Sequence, residues 1–228
     1  PLPGPKARKV IDRDKRVITS AYTRGYPFVI ERGEGTYAWD VDGNKFLDFT
    51  SGVAVNALGH SHPEIVKSIE AQSKKFLHMA GTDFYYEIMV DFADKLCATA
   101  PGKSKKHCFL TNSGTESNEA AIKLARYVTR RPKMIAFYNC FHGRSMGSLS
   151  LTASKPQQRR HFASMLDVAH SPYGDLKFLD KYVLGKVAPP EDVAAIFVEP
   201  IQGEGGYVVA PEGFLEGLRE RCDKHGIL

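Results

Sequence analysis

Three short apolar runs, each ending where small, polar and charged residues gather, constrain this chain most. They are "HCFLT" at 107–111, "KMIAFYN" at 133–139 and "VAAIFVEP" at 193–200. Each is too short for a helix of its own and lacks the alternation of a half-exposed strand, so each reads as a short buried strand. Helical stretches separate them, Lys123 to Val128 after the first and Leu176 to Val183 after the second. Strands alternating with helices predict an α/β fold, a mostly parallel sheet flanked by helices. Ligands of such folds collect at the edge where the strands end. The polar clusters that follow the runs are therefore the first place to look for chemistry.

The chain before the first run is different in kind. Residues 1–26 are polar and basic with scattered prolines, and read as an arm rather than a core element. "PFVIERGEGTYAWDVDGNKFLDFTSG" then predicts strands at Phe28 to Ile30, Tyr37 to Val41 and Lys45 to Phe49, with Asp42-Gly43 as the hairpin turn. This is a small antiparallel meander. From "HSHPEIVKSIEAQSKKFLH" the pattern turns helical: Ser61 precedes the start, Pro63 suits the first turn, and Ile65, Ile69 and Phe76 form a stripe. A second helix is expected near Tyr86 to Ala98. The last segment predicts a helix closed by Gly226, with Ile227-Leu228 opening another strand. These patterns divide the chain into 1–60, arm and meander, and 61–228, the first part of a larger domain.

Composition narrows the classes. The 228 residues can bury a sizeable core, and no stretch approaches the roughly 20 apolar residues of a membrane span. The start "PLPGPKARKV" has no apolar signal-peptide core. The four cysteines form no CxxC pair; Cys97 and Cys108 sit in apolar contexts and read as buried free thiols, which favours a cytoplasmic setting. A net charge of +5 and the Lys103–Lys106 cluster read as solvated surface rather than a nucleic-acid footprint. His60-x-His62 lacks a third ligand at suitable spacing, so no metal is expected.

Three motifs carry chemistry. Ser113-x-x-Glu116 in "TNSGTESNEAAIKLARY" is a capping box, while Gly114 and Thr115 leave amides and a hydroxyl approachable at the positive end of the helix, as a phosphate needs. "NCFHGRSMG" places Phe141, His142 and Arg144 at the end of the second run, an aromatic face for a planar ligand and a guanidinium fork for a carboxylate. "VEPIQGEGGYV" ends the third run with Glu199 and Glu204 around a glycine-rich turn. One shared site explains all three more simply than three coincidences.

"WDVDGNKFLDFTSGVAVNALGHSHP", "TNSGTESNEAAIKLAR", "FHGRSMGSLSLT" and "VEPIQGEGGYVV", in this order, resemble the class III aminotransferases, enzymes of the 4-aminobutyrate, ornithine and acetylornithine type that use pyridoxal 5′-phosphate (PLP). The resemblance runs from about residue 27 to the end and covers the N-terminal half of the family pattern. It implies the PLP-dependent transferase fold of type I, with an incomplete large domain and a small-domain meander. It implies that Ser113, Gly114 and Thr115 hold the PLP phosphate, that Phe141 stacks on the ring with His142 beside it, and that Glu199 acts behind the ring. It further implies that Arg144 binds the carboxylate of an ω-amino acid, that Glu204 gates the dicarboxylate acceptor, and that Val53 lines the substrate pocket. Thr82 would reach the cofactor of a partner subunit in a homodimer or dimer of dimers. The expected partners are an amino donor and a 2-oxo acid such as 2-oxoglutarate, with neither nucleic acid nor membrane. The family's Asp on the pyridine nitrogen and its Schiff-base lysine have no counterpart in residues 1–228, so this chain alone is expected to be inactive. The same family includes amino-acid racemases, the alternative reading, and a non-catalytic fragment is the other.

Overall fold

A computed structural model describes residues 1–162 and 166–228. Contacts divide the chain into two compact units, Pro1–Val90 and Asp91–Leu228. The sequence pattern alone places the division at residue 60.

In the first unit the arm is not featureless. Pro5–Val17 forms a helix, α1, with Pro5 at its start, where a missing amide costs nothing. Its free first-turn amides are taken from far along the chain: Asp42 accepts from Lys6 N at 2.8 Å and Ala7 N at 2.9 Å. The sequence reading missed this helix because its cap lies in a hairpin remote in sequence. The meander follows as β1 (Ile30–Glu34), β2 (Tyr37–Asp40) and β3 (Lys45–Leu47), all antiparallel. β1 starts later than the pattern predicts, because Phe28 packs edge-on against Phe46 and a bulge follows Ile30. The Asp42-Gly43 turn is where it was expected. Asp40 fixes it by accepting from Asp42 N at 3.0 Å and Asn44 N at 2.8 Å. The helix α2 (Pro63–Ser73) begins at Pro63, but Ile65 and Ile69 of its stripe stay exposed. Helix α3 (Glu87–Thr99) runs through the division between the units.

The second unit carries the parallel sheet. Its strands are β4 (Lys133–Phe137), β5 (Val168–Ser171) and β6 (Val193–Ile196), in the order β5-β4-β6. Pairs such as Phe137↔Ser171 and Ile135↔Ile196 set the register. The strand β4 is buried on both faces, and its side chains alternate between two cores. Met134 and Ala136 pack with Ile122, Ala125 and Leu151 from helices α4 (Gly114–Thr129) and α5 (Met146–Leu151). Ile135 and Phe137 pack with Leu179, Val183, Phe214 and Leu218 on the other face. These come from the segment Leu176–Phe178 with the π-wound Leu179–Val187, and from helix α6 (Phe214–His225). Burying each large side chain contributes about 1.5–3 kcal/mol. A final hairpin, β7 (Ile201–Gln202) with β8 (Val208–Val209), follows the third apolar run.

At the end of the chain the helix closes as the sequence predicts, and Ile227-Leu228 lie beside β6 without being a strand. Gly226 closes α6 with a left-handed φ of 63°. Leu228 then exchanges hydrogen bonds beside β6, donating to Ala194 O at 3.0 Å and accepting from Ile196 N at 2.9 Å.

Two further expectations fail. "HCFLT" is neither strand nor buried: Phe109 is 76% exposed, and no strand among the described residues pairs with it. An apolar run forms a strand only when another strand satisfies its amides and carbonyls. Cys97 and Cys108 are only partly buried, whereas Cys140 and Cys222 are buried. Burial pushes the Cys140 thiol up to about 11, so it is protonated and inert at neutral pH.

Arg131 ties the second unit together. Its Nη1 donates toward His225 O and Gly226 O, both at 3.0 Å, and toward Val193 O at 3.2 Å. A cation thus satisfies the last carbonyls of α6 and the start of β6 together. Arg131→Ala should destabilise the protein by about 1–3 kcal/mol in chemical denaturation, and Arg131→Lys should recover only part of it.

Candidate functional site

The start of α4 and the ends of β4 and the third apolar run meet at the carboxyl edge of the sheet. Ser113 caps α4 with an extended backbone, and its Oγ accepts from Glu116 N at 3.4 Å. Glu116 reaches back to the amide of Asn112 at 2.7 Å, one residue earlier than a standard capping box. The amides of Gly114 and Thr115 have no acceptor within the helix. A Cβ at Gly114 would meet nothing within 4 Å, so this positive helix end faces open space.

The Thr115 hydroxyl faces inward. It lies 2.7 Å from Ser145 Oγ and 2.5 Å from Ser148 Oγ, and accepts from Ser145 N at 3.3 Å. Glu119 completes the cluster, its Oε1 accepting from Ser145 Oγ at 2.5 Å and Ser148 N at 2.9 Å. The hydroxyl that the sequence assigned to a ligand joins two helix starts, and the backbone amide is what Thr115 leaves open.

Beyond β4 the chain turns at Asn139, whose φ is 67°. Glu199 then holds the next loop from behind, accepting from Phe141 N and from Gly203 N, both at 3.1 Å. Thr152 Oγ1 accepts from His142 N at 2.9 Å, and Asn118 Nδ2 donates to His142 O at 2.6 Å. The backbone on either side of Phe141 is therefore fixed by side chains from three other segments. Gly143 adopts φ 130°, and a Cβ there would collide with Thr115 Oγ1 and Ser148 Oγ. Only glycine lets the loop pass this close.

The buried His142 ring stands edge-on to Phe197 at 6.0 Å, and its Nε2 has no hydrogen-bond partner among the described residues. Burial, with a smaller contribution from His170, lowers its pKa from 6.5 to about 4, so it is neutral at pH 7. Arg144 is exposed and forms no ion pair among the described residues. Ser113, Gly114, Thr115, Phe141, His142 and Arg144 line one pocket of about 510 Å³, which also takes Asn118, Gly143 and Ser145.

Glu204 lies apart from that pocket and pairs with Lys155 at 2.9 Å. Val53 and Thr82 belong to the first unit. Val53 is 87% exposed, and Thr82 is exposed in a turn. Sequence reasoning missed Asn118 and Glu119. Their signal was helical spacing: they follow Gly114 and Thr115 by one turn and so share their face.

The Aminotransferase class-III family matches residues 19–228. The chain belongs to the class III aminotransferases. Acetylornithine aminotransferase from Methanopyrus kandleri is 43% identical over 97% of this chain and 54% of its own length. An alanine/serine racemase from Pyrococcus horikoshii is 33% identical over 99% of this chain and 52% of its own. Among solved structures, taurine:2-oxoglutarate aminotransferase from Bifidobacterium kashiwanohense, in complex with PLP and glutamate, superimposes with a TM-score of 0.88 at 30% identity. That match covers 97% of this chain and 54% of the solved one. The chain thus spans about half the length of the relatives it matches. The fold is that of the PLP-dependent class III transaminases, and PLP is the cofactor of the family.

Two outcomes follow for this class III site. Gly143→Ala forces a Cβ onto two hydroxyls in a backbone region that L residues avoid, and should cost about 2 kcal/mol or more in thermal or chemical unfolding. His142 binds its proton more weakly when folded, so its stabilisation is present above pH 6.5 and lost as pH falls toward about 4. Denaturation at pH 7 and pH 4.5 should differ by on the order of 2 kcal/mol through this residue, and His142→Asn should flatten that part of the profile.

Proposed function

We propose that this protein is a PLP-dependent aminotransferase. It moves the amino group of an ω-amino acid of the acetylornithine, ornithine or 4-aminobutyrate kind to a 2-oxo acid such as 2-oxoglutarate. The observation that carries this reading is the convergence, in one pocket, of an open helix start, an aromatic ring and a guanidinium with no ion pair among the described residues. The pocket fits the cofactor on its own terms. Its volume of about 510 Å³ lies within the usual range for small ligands. Gly114 leaves the backbone bare at the helix start, and the buried Nε2 of His142 has no partner among the described residues.

In this reading the amides of Gly114 and Thr115, with Ser113, hold the phosphate at the positive end of α4. Phe141 stacks on the ring, and Glu199 holds Phe141 in place through its backbone amide. When bound, the cofactor supplies the electron sink that lets an amino group leave one carbon skeleton and join another. The neutral His142 adds no charge beside the ring. Arg144 takes the donor's carboxylate in a bidentate grip. Glu204, paired here with Lys155, gates the dicarboxylate acceptor by holding and then releasing an arginine from the later part of the protein. Val53 lines the substrate's path, and Thr82 reaches the cofactor of the partner in a cytoplasmic homodimer or dimer of dimers. None of the lysines in residues 1–228 takes the covalent role, so this polypeptide alone binds PLP without turning over.

The acetylornithine aminotransferases among the relatives support the donor class. The Pyrococcus racemase supports a second reading, in which the proton returns to the substrate carbon from the opposite face. No helix among the described residues is long and apolar enough to cross a membrane.

The complete gene product, given an ω-amino donor and 2-oxoglutarate, should form glutamate, and Arg144→Ala should raise the donor KM by about tenfold or more. D-amino acid formed without any oxo product would overturn the aminotransferase reading in favour of the racemase. The 228-residue chain should quench its protein fluorescence on PLP addition, yet yield no stoichiometric pyridoxyl-lysine peptide after borohydride.

A further inference from the structure

We propose that Glu119 is a positioning residue: it pins Ser145 and the start of α5 to α4, and thereby aims the neighbouring Arg144 at the donor's carboxylate. That Arg144 meets a carboxylate rests on the aminotransferase reading above; the pinning rests on geometry alone.

Helix α5 begins two residues after Arg144. Ser145 stands at its cap position with an extended backbone, yet the Ser145 side chain makes no cap hydrogen bond. The acceptor comes from α4 instead. Glu119 Oε1 accepts from Ser148 N at 2.9 Å and from Ser145 Oγ at 2.5 Å. Ser148 is fully buried, so its amide has no water to turn to once that oxygen is removed.

The other oxygen of Glu119 lies against Gly147, where a Cβ would collide with it. Gly147 sits inside α5 and takes no positive φ, so an added methyl there would disturb the Glu119 contact and not the backbone. The hydroxyls follow the carboxylate. Ser145 Oγ gives its one proton to Glu119, so toward Thr115 Oγ1, 2.7 Å away, it can only accept. Thr115 Oγ1 in turn accepts from Ser145 N at 3.3 Å. Glu119 is thus the final acceptor of a chain that runs from Thr115 through Ser145.

These contacts lie on one side of Arg144. On the other, Asn118 Nδ2 donates to His142 O at 2.6 Å and Thr152 Oγ1 donates to Gly143 O at 2.9 Å. The backbone is therefore held on both sides of a residue whose own side chain is exposed and forms no ion pair among the described residues. No partner acid aims the guanidinium, so its origin and direction come from that backbone. Glu119 is the charged group that fixes the side leading into α5. A bidentate grip on a carboxylate tolerates little misplacement, which makes such support part of recognition.

The experiment uses the complete gene product and two donors: an ω-amino acid, and the same molecule with its carboxylate replaced by hydrogen. Glu119→Ala should raise the KM of the amino acid by about tenfold with kcat within about twofold, and should change kcat/KM for the amine by less than about twofold. Glu119→Gln keeps an acceptor oxygen and should recover most of that loss. Gly147→Ala, which displaces the carboxylate, should reproduce the Glu119→Ala pattern. In an Arg144→Ala background Glu119→Ala should add less than about twofold, since it acts through that residue. Hydrogen exchange at the Ser148 amide should accelerate by about tenfold or more in Glu119→Ala. If Glu119→Ala does not fold, Gly147→Ala carries the same readouts. Unchanged exchange overturns the pinning. Equal losses on both donors, or effects that multiply with Arg144→Ala, overturn the positioning role. A wild type that shows no preference for the carboxylate donor overturns that role while transamination stands. A wild type that transaminates nothing overturns the preceding reading, and exchange still decides the pinning.

Discussion

Burial of β4 on both faces is the constraint from which the rest of the second unit follows. A strand flanked by β5 and β6 has its backbone satisfied laterally, so only its faces remain to be covered. Met134 and Ala136 draw α4 and α5 to one side, and Ile135 and Phe137 draw the π-wound segment and α6 to the other. Because the strands are parallel, the loops after β4 and β6 leave at the same edge. That shared edge lets Glu199, after β6, reach the amide of Phe141, after β4. The site is a consequence of the sheet's direction before it is a consequence of any one motif.

The sequence made legible whatever depends on local pattern. β4, β6, α4, α6 and the Asp42-Gly43 turn follow from apolar runs, helical spacing and turn residues within a few positions of one another. Phe141, His142 and Arg144 follow the end of β4 as read, and they share a pocket with Ser113 and Gly114 although the run before Ser113 is not a strand. What the sequence hid depends on partners remote in the chain. The helix α1 is capped by Asp42, so residues 1–26 look like an unstructured arm until the hairpin is placed beside them. "HCFLT" has the composition of a strand, but composition supplies no neighbour for its amides.

The roles of polar atoms were harder still. Thr115 follows a glycine at a helix start, the right place for a phosphate-binding hydroxyl. Its oxygen instead joins Ser145 and Ser148, because Gly143 brings the next loop into contact with it. The left-handed turn at 51–54 carries almost no sequence mark. Gly52 alone favours it and Val53 opposes it, while Asp48, outside the turn itself, accepts from Thr50 N and Ser51 N at its entry.

A common device runs through both units. Asp40, Asp42, Asp48, Glu116 and Glu199 each accept from backbone amides of a turn, a loop or a helix start. Such charge-assisted bonds fix loop geometry more firmly than neutral ones, and they lose little to salt when partly buried. The consequence is electrostatic. Acids engaged with amides are drawn into the framework, while Arg144 stays exposed and forms no ion pair among the described residues, in a chain whose net charge is already +5. A guanidinium without an ion pair among the described residues, next to an open helix start, favours anions whose negative charges lie at two points.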